Sequence, residues 1–250
     1  MTDELFSLRV VAASASKDDR DLLRNAAAAA KVPIEIIEAE NGASACGALL
    51  RAVDLVFLDD ALGADEVARV AAAARAAPKP PFTVLLAPPP SGVPFETDAL
   101  AVKPTDIEEA KCLVNGAIRT RRPTRVLVVD DSSTMRSIVR KTLAATRFPL
   151  DVTEAAQGLE AIALARAAAF DIVLVDYNMP DFNGLETIAE FRREKRCVTF
   201  VLITSAQDQV LADRARARGV AFLKKPFFPA DIEAVLCGFY GLRALSPRRA

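Results

Sequence analysis

The chain has 250 residues, of which 52% are hydrophobic and 26% are charged, and its formal net charge is -1. A chain of this length can bury two cores of domain size, and its nearly balanced charge gives no electrostatic footprint for nucleic acid. The sequence contains no histidine. This excludes histidine-based acid/base catalysis, a Ser-His-Asp triad and a phosphohistidine carried on this chain.

The sequence predicts neither a membrane span nor a secretory signal. The N-terminus, MTDEL, is acidic, and no uninterrupted apolar stretch is long enough to cross a bilayer. The four cysteines are scattered, form no CxxC pair and are typical of small core residues: Cys46, Cys112, Cys197 and Cys237. We therefore expect a cytoplasmic protein without membrane insertion.

The first half of the chain alternates apolar runs with helical stretches. The run VDLVFLDD places Asp59 at the end of a predicted strand, and residues 82–87 form a later one. The prolines that follow this later strand exclude a full helix, so a loop is predicted there: Pro88, Pro89, Pro90 and Pro94. Lys103 and Pro104 then precede the predicted helix DIEEAKC.

A short basic stretch, RTRRPT, joins the two halves. Arginines can bind phosphate or nucleic acid, but a run this short is more typical of a solvated connector. We therefore predict a first domain at residues 1–118, a linker at 119–124, a second domain at 125–245 and a tail at 246–250.

The second half has the alternating pattern of a parallel α/β fold. Strands are predicted at about 125–130, 151–155, 171–176, 198–204 and 221–224. Helices are predicted to begin near residues 133, 157, 184, 207 and 229. Such short, regular alternation predicts a sheet covered by helices on both faces.

Polar residues close four of these predicted strands. Asp130 and Asp131 end the first, Asp176 the third, Thr204 the fourth, and Lys225 follows the fifth. The carboxyl ends of parallel strands meet at one edge of an open sheet. Carboxylates without histidine or cysteine favour Mg²⁺, and a hydroxyl with an ammonium suits a phosphoryl group.

Each of these residues also has a structural interpretation when it is considered alone. An acidic pair after a strand often caps the next helix, Thr204 can cap a strand, and Lys225 before Pro226 can be a solvated loop lysine. Their order and their shared position at strand ends favour a functional site.

In this order the residues resemble the receiver domain of two-component response regulators, and VLVVDDSSTMR is most similar to the chemotaxis single-domain type. The resemblance covers roughly residues 124–242 and implies a flavodoxin-like (βα)5 fold with sheet order 2-1-3-4-5. It also implies that Asp176 is the phosphoacceptor, Asp131 a direct Mg²⁺ ligand, Asp130 a largely water-mediated one, and Asn178 a ligand through its backbone carbonyl.

The resemblance further assigns a switch. Thr204 and Lys225 would contact the phosphoryl oxygens, and the aromatic at Phe222 would turn inward when the phosphoryl group arrives. Phe222 lacks the hydroxyl of the tyrosine common in chemotaxis proteins, so we expect it to favour the buried state. Phe228 and Tyr240 are candidate exposed aromatics for a partner.

The first half repeats this plan with part of its chemistry missing. Asp59 corresponds to Asp176, Lys103 to Lys225, and DIEEAKC echoes DIEAVLC. Counting back from Asp59 by the spacing between Asp130 and Asp176 reaches Ala13 and Ser14, so the acidic pair is missing. The predicted strand at residues 82–87 ends in alanine, where the second half has Thr204. We predict a degenerate pseudo-receiver in which Asp59 is not phosphorylated efficiently. The alternative is an unrelated small α/β domain.

The leading functional interpretation is a response regulator that accepts a phosphoryl group on Asp176 in a Mg²⁺-dependent reaction. The donor would be a histidine kinase or a histidine phosphotransfer protein, and the signal would pass to a downstream protein or to a second copy. Only about eight residues follow the second receiver, so no DNA-binding or enzymatic output domain is expected. Slow autodephosphorylation is the only enzymatic activity that we expect.

Two alternatives stay open. One is an interaction scaffold, whose signalling would survive Asp176→Asn. The other is an aspartyl-phosphate phosphatase of the haloacid dehalogenase type. That family needs a second acid two residues after its nucleophile, where this sequence has Asn178.

Overall fold

A computed structural model of the chain describes residues 7–88, 96–180, 183–193, 198–205, 213–215 and 217–245. Contacts divide the chain into two compact units. Unit 1 combines Met1–Arg121 with the segment from Cys237 onward, and unit 2 is Arg122–Leu236. In the described residues, no helix has both the length and the apolar character needed to cross a membrane.

Each unit is built around a five-stranded parallel sheet. Unit 1 contains β1 (Leu8–Ala13), α1 (Lys17–Ala28), β2 (Ile34–Ala39), α2 (Gly42–Ala48), β3 (Leu55–Asp59), a 3₁₀ helix (Asp60–Leu62), α3 (Ala64–Ala76), β4 (Phe82–Leu86), β5 (Ala99–Ala101) and α4 (Ile107–Arg119). Unit 2 contains β6 (Thr124–Val129), α5 (Ser133–Ala144), β7 (Leu150–Ala155), α6 (Gly158–Ala167), β8 (Ile172–Asp176), α7 (Gly184–Arg193), β9 (Thr199–Thr204) and β10 (Ala221–Lys224). The last helix is α8 (Pro229–Phe239).

The strand orders confirm the predicted α/β fold. They are β2-β1-β3-β4-β5 in unit 1 and β7-β6-β8-β9-β10 in unit 2, and both correspond to the order 2-1-3-4-5. The predicted start of a helix near residue 207 lies outside the described residues. Most of the loop predicted at the proline-rich segment also lies outside them.

The central strands carry the cores. Every residue of β3 and of β8 is buried, including the aspartate that ends each strand. Strands covered by helices on both faces are expected to be apolar throughout. Burying each valine or leucine there contributes about 1.5–3 kcal/mol, which holds the strand ends in fixed positions.

The two units share individual side-chain contacts as well as their strand order. Ser16 caps α1 and Ser132 caps α5, in each case by accepting a hydrogen bond from the backbone N–H three residues later. Arg20 pairs with Glu38, and the equivalent pair after a shift of 116 residues, Arg136 with Glu154, is also formed. An unrelated first domain would not reproduce these contacts, so the interpretation as two receiver-like units is confirmed.

The segment from Cys237 onward completes unit 1. Leu100 in β5 and Arg243 exchange backbone hydrogen bonds of 2.9 and 2.8 Å, which adds a short antiparallel contact to the sheet edge. A Cβ atom at residue 116 would collide with the carbonyl oxygen of Tyr240, so this approach requires Gly116. Tyr240 is only 2% exposed, and its predicted exposure is wrong; Phe228 is 65% exposed, as predicted.

Candidate functional site

Three predicted residues meet at the carboxyl edge of the unit 2 sheet. Asp176 is the last residue of β8. Asp130 directly follows β6, the strand next to β8 in the sheet. Their exposed fractions are 5% and 3%. The Nζ atom of Lys225 lies 2.7 Å from Oδ1 of Asp176 and 3.0 Å from Oδ2 of Asp130. One ammonium group therefore bridges two buried carboxylates.

Backbone groups orient both carboxylates. Oδ1 of Asp130 accepts a hydrogen bond from the N–H of Ser132, and Oδ2 of Asp176 accepts one from the N–H of Asn178, each at 2.9 Å. Arg136 also donates to the carbonyl oxygen of Asp130 at 2.8 Å. Each carboxylate thus has one oxygen held by the chain and the other directed at the ammonium.

Hydrogen bonds hold both the backbone and the side chain of Lys225 in place. Its backbone N–H donates to the carbonyl oxygen of Thr204 at 2.8 Å, which places the residue beside the end of β9. Burial alone would lower the pKa of Lys225, but hydrogen bonds to Asp176 and Asp130 outweigh it and raise the pKa. The side chain therefore stays an ammonium at neutral pH. Thr204 itself is fully buried at the end of β9, the strand paired with β8.

Not every predicted residue joins this cluster. Asp131 and Asn178 are exposed on the rim. Phe222 is half-buried in β10 and packs against the core of unit 2. Among the described residues, no three acidic or cysteine side chains are close enough together to hold a metal ion by themselves. The described side-chain oxygens buried at the carboxyl ends of the unit 2 strands are the carboxylates of Asp130 and Asp176 and the hydroxyl of Thr204.

A glycine that the sequence analysis missed positions the phosphoacceptor candidate. Gly184 begins α7, and a Cβ atom there would lie 2.6 Å from the carbonyl oxygen of Asp176 and 2.7 Å from Leu202. Its N–H donates to the carbonyl oxygen of Tyr177 at 3.1 Å. The helix therefore packs directly against the backbone of β8. A glycine at a predicted helix start, soon after Asp176, was the available signal.

Unit 1 has a corresponding cluster with a different composition. Asp59 is fully buried at the end of β3 and accepts hydrogen bonds from Ser14 Oγ at 2.6 Å and from Lys103 Nζ at 2.8 Å. The same Nζ lies 2.5 Å from Oδ2 of Asp19 in α1. Lys103 therefore bridges two carboxylates, as Lys225 does, but the second carboxylate comes from a helix.

The electrostatics of the unit 1 cluster favour its charged form. Burial would raise the pKa of Asp59, but hydrogen bonds from Lys103 and Ser14 outweigh it and lower the pKa. Burial would likewise lower the pKa of Lys103, and its hydrogen bonds to Asp19 and Asp59 instead raise it. Both groups are therefore ionised at neutral pH.

Asp19 was not predicted from the sequence, because only residues at strand ends were compared. The shift of 116 residues relates it to Met135 in α5, and relates Ser14 to Asp130. Unit 1 thus has an acid where unit 2 has a methionine, and a hydroxyl where unit 2 has an acid.

The sheet order together with a lysine-bridged pair of strand-end carboxylates defines a receiver-type domain. The family described as response regulator receiver domain matches residues 126–236. The chain is 38% identical over 116 residues to the chemotaxis protein CheY1 of Helicobacter pylori, covering 45% of this chain and 93% of that protein. A chemotaxis protein CheY homolog of Campylobacter jejuni is 37% identical over 116 residues, covering 45% and 88%. The chain belongs to the response regulator receiver family.

One solved structure resembles both units at the level of fold. It is a probable two-component system response regulator/GGDEF domain protein, with a TM-score of 0.51 and 20% identity, covering 93% of this chain and 97% of that one. At this identity the likeness extends to the fold alone, and it agrees with two α/β units in one chain.

Proposed function

We propose that unit 2 is a Mg²⁺-dependent phosphoacceptor domain in which Asp176 receives a phosphoryl group from a histidine kinase or a histidine phosphotransfer protein. The observation that carries this proposal is the position of Lys225 Nζ, 2.7 Å from Asp176 and 3.0 Å from Asp130. An ammonium beside a buried carboxylate is suited to binding the oxygens of an incoming phosphoryl group.

The transfer needs no base on this chain. Asp176 is the nucleophile: a bond forms between its carboxylate oxygen and phosphorus as the P–N bond of the donor phosphohistidine breaks, and the departing imidazole takes up a proton from water. Lys225 and the Thr204 hydroxyl bind the phosphoryl oxygens. The backbone N–H of Asn178 holds the other oxygen of Asp176 at 2.9 Å and keeps the carboxylate oriented for attack.

The donor set at this edge fits Mg²⁺. Mg²⁺ usually binds one or two carboxylates and keeps several waters, and its remaining ligands are substrate phosphate oxygens. Asp176 and Asp131 would supply two direct carboxylates, Asp130 would act largely through water, and Asn178 would contribute its backbone carbonyl. When bound, the ion supplies positive charge that offsets the repulsion between these acids and the phosphoryl group.

Unit 1 is, in this proposal, a pseudo-receiver that is not phosphorylated efficiently. Ser14 takes the position that Asp130 occupies in unit 2, so the strand-end acid proposed to help hold Mg²⁺ is replaced by a hydroxyl. The first turn of α1 carries Asp18 and Asp19, whereas the first turn of α5 carries no acid. Like charges at this entrance repel an anionic phosphodonor.

Output would pass through protein contacts of unit 2. Phe228 is exposed three residues after Lys225, so a displacement of the site lysine would reach an aromatic side chain on the surface. Exposed aromatic residues are frequent anchors in interfaces. A partner protein or a second copy of the chain is the expected receiver of the signal.

The test is intact-mass measurement after incubation with a small acyl phosphate and Mg²⁺. We expect one phosphoryl adduct on the wild-type chain and on Asp59→Asn, none on Asp176→Asn, and none when Mg²⁺ is chelated. An adduct that is lost only in Asp59→Asn would reverse the assignment of the two units. No adduct on any folded variant would favour a scaffold that works without phosphorylation.

A further inference from the structure

Unit 2 has a groove along α7 that the proposed phosphorylation does not use. Its volume is about 520 Å³, and apolar side chains of α7 form its floor: Leu185, Ile188 and Ala189. Tyr177, the residue after Asp176, contributes an aromatic ring to the lining. The volume lies in the range of pockets that bind small molecules rather than whole proteins.

The charged residues of the groove are mostly positive. Arg192, Arg214 and Arg218 line it together with one acid, Glu186. The Glu186 carboxylate accepts a hydrogen bond from the N–H of Asn183 at the start of α7, so it already has a role in capping that helix. No ion pair to a carboxylate is found for these three arginines in the part of the chain that the structure describes.

One of the arginines is held in place. Arg192 donates a hydrogen bond to the carbonyl oxygen of Arg218 at 2.6 Å, and its guanidinium lies 5.6 Å from the centre of the Phe200 ring. These contacts orient a planar cation beside the groove before any ligand arrives. A pre-oriented guanidinium loses less entropy on binding than a free one.

The equivalent arginine of unit 1 is neutralised. A shift of 117 residues, which relates Asp59 to Asp176, relates Arg75 to Arg192. Arg75 forms an ion pair with Glu96 and donates a second hydrogen bond to the Glu96 carbonyl oxygen at 2.9 Å. The uncompensated positive charge along α7 is therefore not a property of the shared fold.

We propose that this groove binds a small organic phosphate of nucleotide size. Guanidinium groups match phosphate oxygens in a bidentate geometry, and the apolar floor with Tyr177 offers a surface on which a planar base can stack. Three cations against one already engaged carboxylate give the charge complementarity for two or more phosphate charges.

Occupancy of the groove would be sensed at the phosphoacceptor. Tyr177 directly follows Asp176, and its backbone N–H is held by the carbonyl oxygen of Ile203 at 2.8 Å. A ligand that fixes Tyr177 changes the rate at which Asp176 takes up a phosphoryl group. This consequence rests on the proposed function, whereas the binding itself does not.

The experiment is isothermal titration of the full chain, with EDTA present so that phosphates do not bind through Mg²⁺ at the carboxylate site. ADP, GDP, inorganic pyrophosphate and a hexaglutamate peptide are the probes. We expect ADP or GDP to bind more tightly than pyrophosphate or the peptide. The double variant Arg214→Ala/Arg218→Ala should weaken nucleotide binding at least about tenfold.

Two control variants make the result decisive. Arg193→Ala removes a neighbouring arginine of α7 that pairs with Glu190 and does not line the groove, so it should change affinity less than about twofold. Asp176→Asn should leave affinity unchanged, which separates this site from the proposed phosphoacceptor. The proposal is overturned by the absence of nucleotide binding, by equal losses in the Arg193 control, or by tighter binding of hexaglutamate.

Discussion

Each unit neutralises a lysine with two carboxylates, but the two units take these acids from different secondary-structure elements. In both, a lysine after the fifth strand bridges two carboxylates, one of which ends the third strand. The second carboxylate is Asp130 at a strand end in unit 2 and Asp19 in a helix in unit 1. Both units therefore keep a lysine neutralised by two carboxylates, and in our proposal phosphoryl transfer depends on both acids lying at strand ends, as they do in unit 2.

The largest expected effect comes from transferring the unit 1 residues into unit 2. Asp130→Ser/Asp131→Ala reproduces Ser14 and Ala15 and removes two of the proposed Mg²⁺ ligands. We expect the rate of acyl-phosphate labelling, followed by intact mass, to fall at least about a hundredfold, the usual result of removing charge stabilisation at a reacting centre. Asp151→Asn, an exposed acid near the opposite end of the sheet, is the control. Undiminished labelling of the double variant would show that the comparison of the two sites is mistaken.

A smaller but still large effect is expected where α7 meets β8. Gly184→Ala forces a Cβ atom against the Asp176 carbonyl oxygen and Leu202. We expect unit 2 to lose about 2 kcal/mol of stability, the range for overpacking, and labelling of Asp176 to slow. The residue of unit 1 that corresponds to Gly184 is Val67, which is fully buried. It lies inside α3, because that helix already begins at Ala64, so the chain after Asp59 follows a different path from the chain after Asp176.

The measurement can separate the units because each has one tyrosine and the chain has no tryptophan. Urea unfolding of Gly184→Ala in a Tyr240→Phe background is followed by the fluorescence of Tyr177. Gly47→Ala in α2, where a Cβ atom meets nothing within 4 Å, is the control. It should leave the Tyr177 transition unchanged; followed by Tyr240 in a Tyr177→Phe background, it should stabilise unit 1 by about 0.5–1 kcal/mol, because alanine loses less backbone entropy in a helix.

The unit 1 cluster should contribute pH-dependent stability. Asp59→Asn leaves Lys103 with one carboxylate. Breaking a fully buried pair costs about 3–5 kcal/mol, but Lys103 is 33% exposed, and solvent screening reduces our expectation to about 2 kcal/mol at pH 7. Because the folded-state pKa of Asp59 is lowered, its contribution is present above the unfolded pKa of about 4 and is lost as pH falls through the folded value.

Urea unfolding at several pH values checks this prediction, with Tyr240 as the reporter in a Tyr177→Phe background. The difference between the wild-type chain and Asp59→Asn should be largest near neutral pH and should shrink below about pH 4. Lys103 has a raised pKa, so its part of the stabilisation is lost only at alkaline pH. A difference that does not change down to pH 2 would contradict the assigned ion pair.

Strand periodicity predicted the alternating strands and helices, the residues at strand ends brought Asp130, Asp176 and Lys225 together, and the sheet order came from the family resemblance. Asp19 could not be found in this way, because its importance depends on how closely α1 approaches the edge of the sheet. Gly184 was also missed, since close packing between a helix and a strand leaves no periodic signal. Both residues emerge when the elements of the two units are matched after the fold is known, at a shift of 116 residues for Asp19 and of 117 for Gly184.

The smallest effect concerns a buried hydroxyl in α7. Thr187 is fully buried, and its Oγ1 has no hydrogen-bond partner among the residues that the structure describes, while the equivalent residue of unit 1, after the shift of 117 residues, is the buried Val70. Thr187→Val keeps the branched shape and removes the unsatisfied oxygen, so unit 2 should gain about 1 kcal/mol in urea unfolding followed by Tyr177. Thr187→Ser keeps the hydroxyl and loses the methyl group, and it should lower stability by about 1 kcal/mol. A loss of stability in Thr187→Val would mean that the hydroxyl is satisfied in solution, and that the two helices differ here for a polar reason.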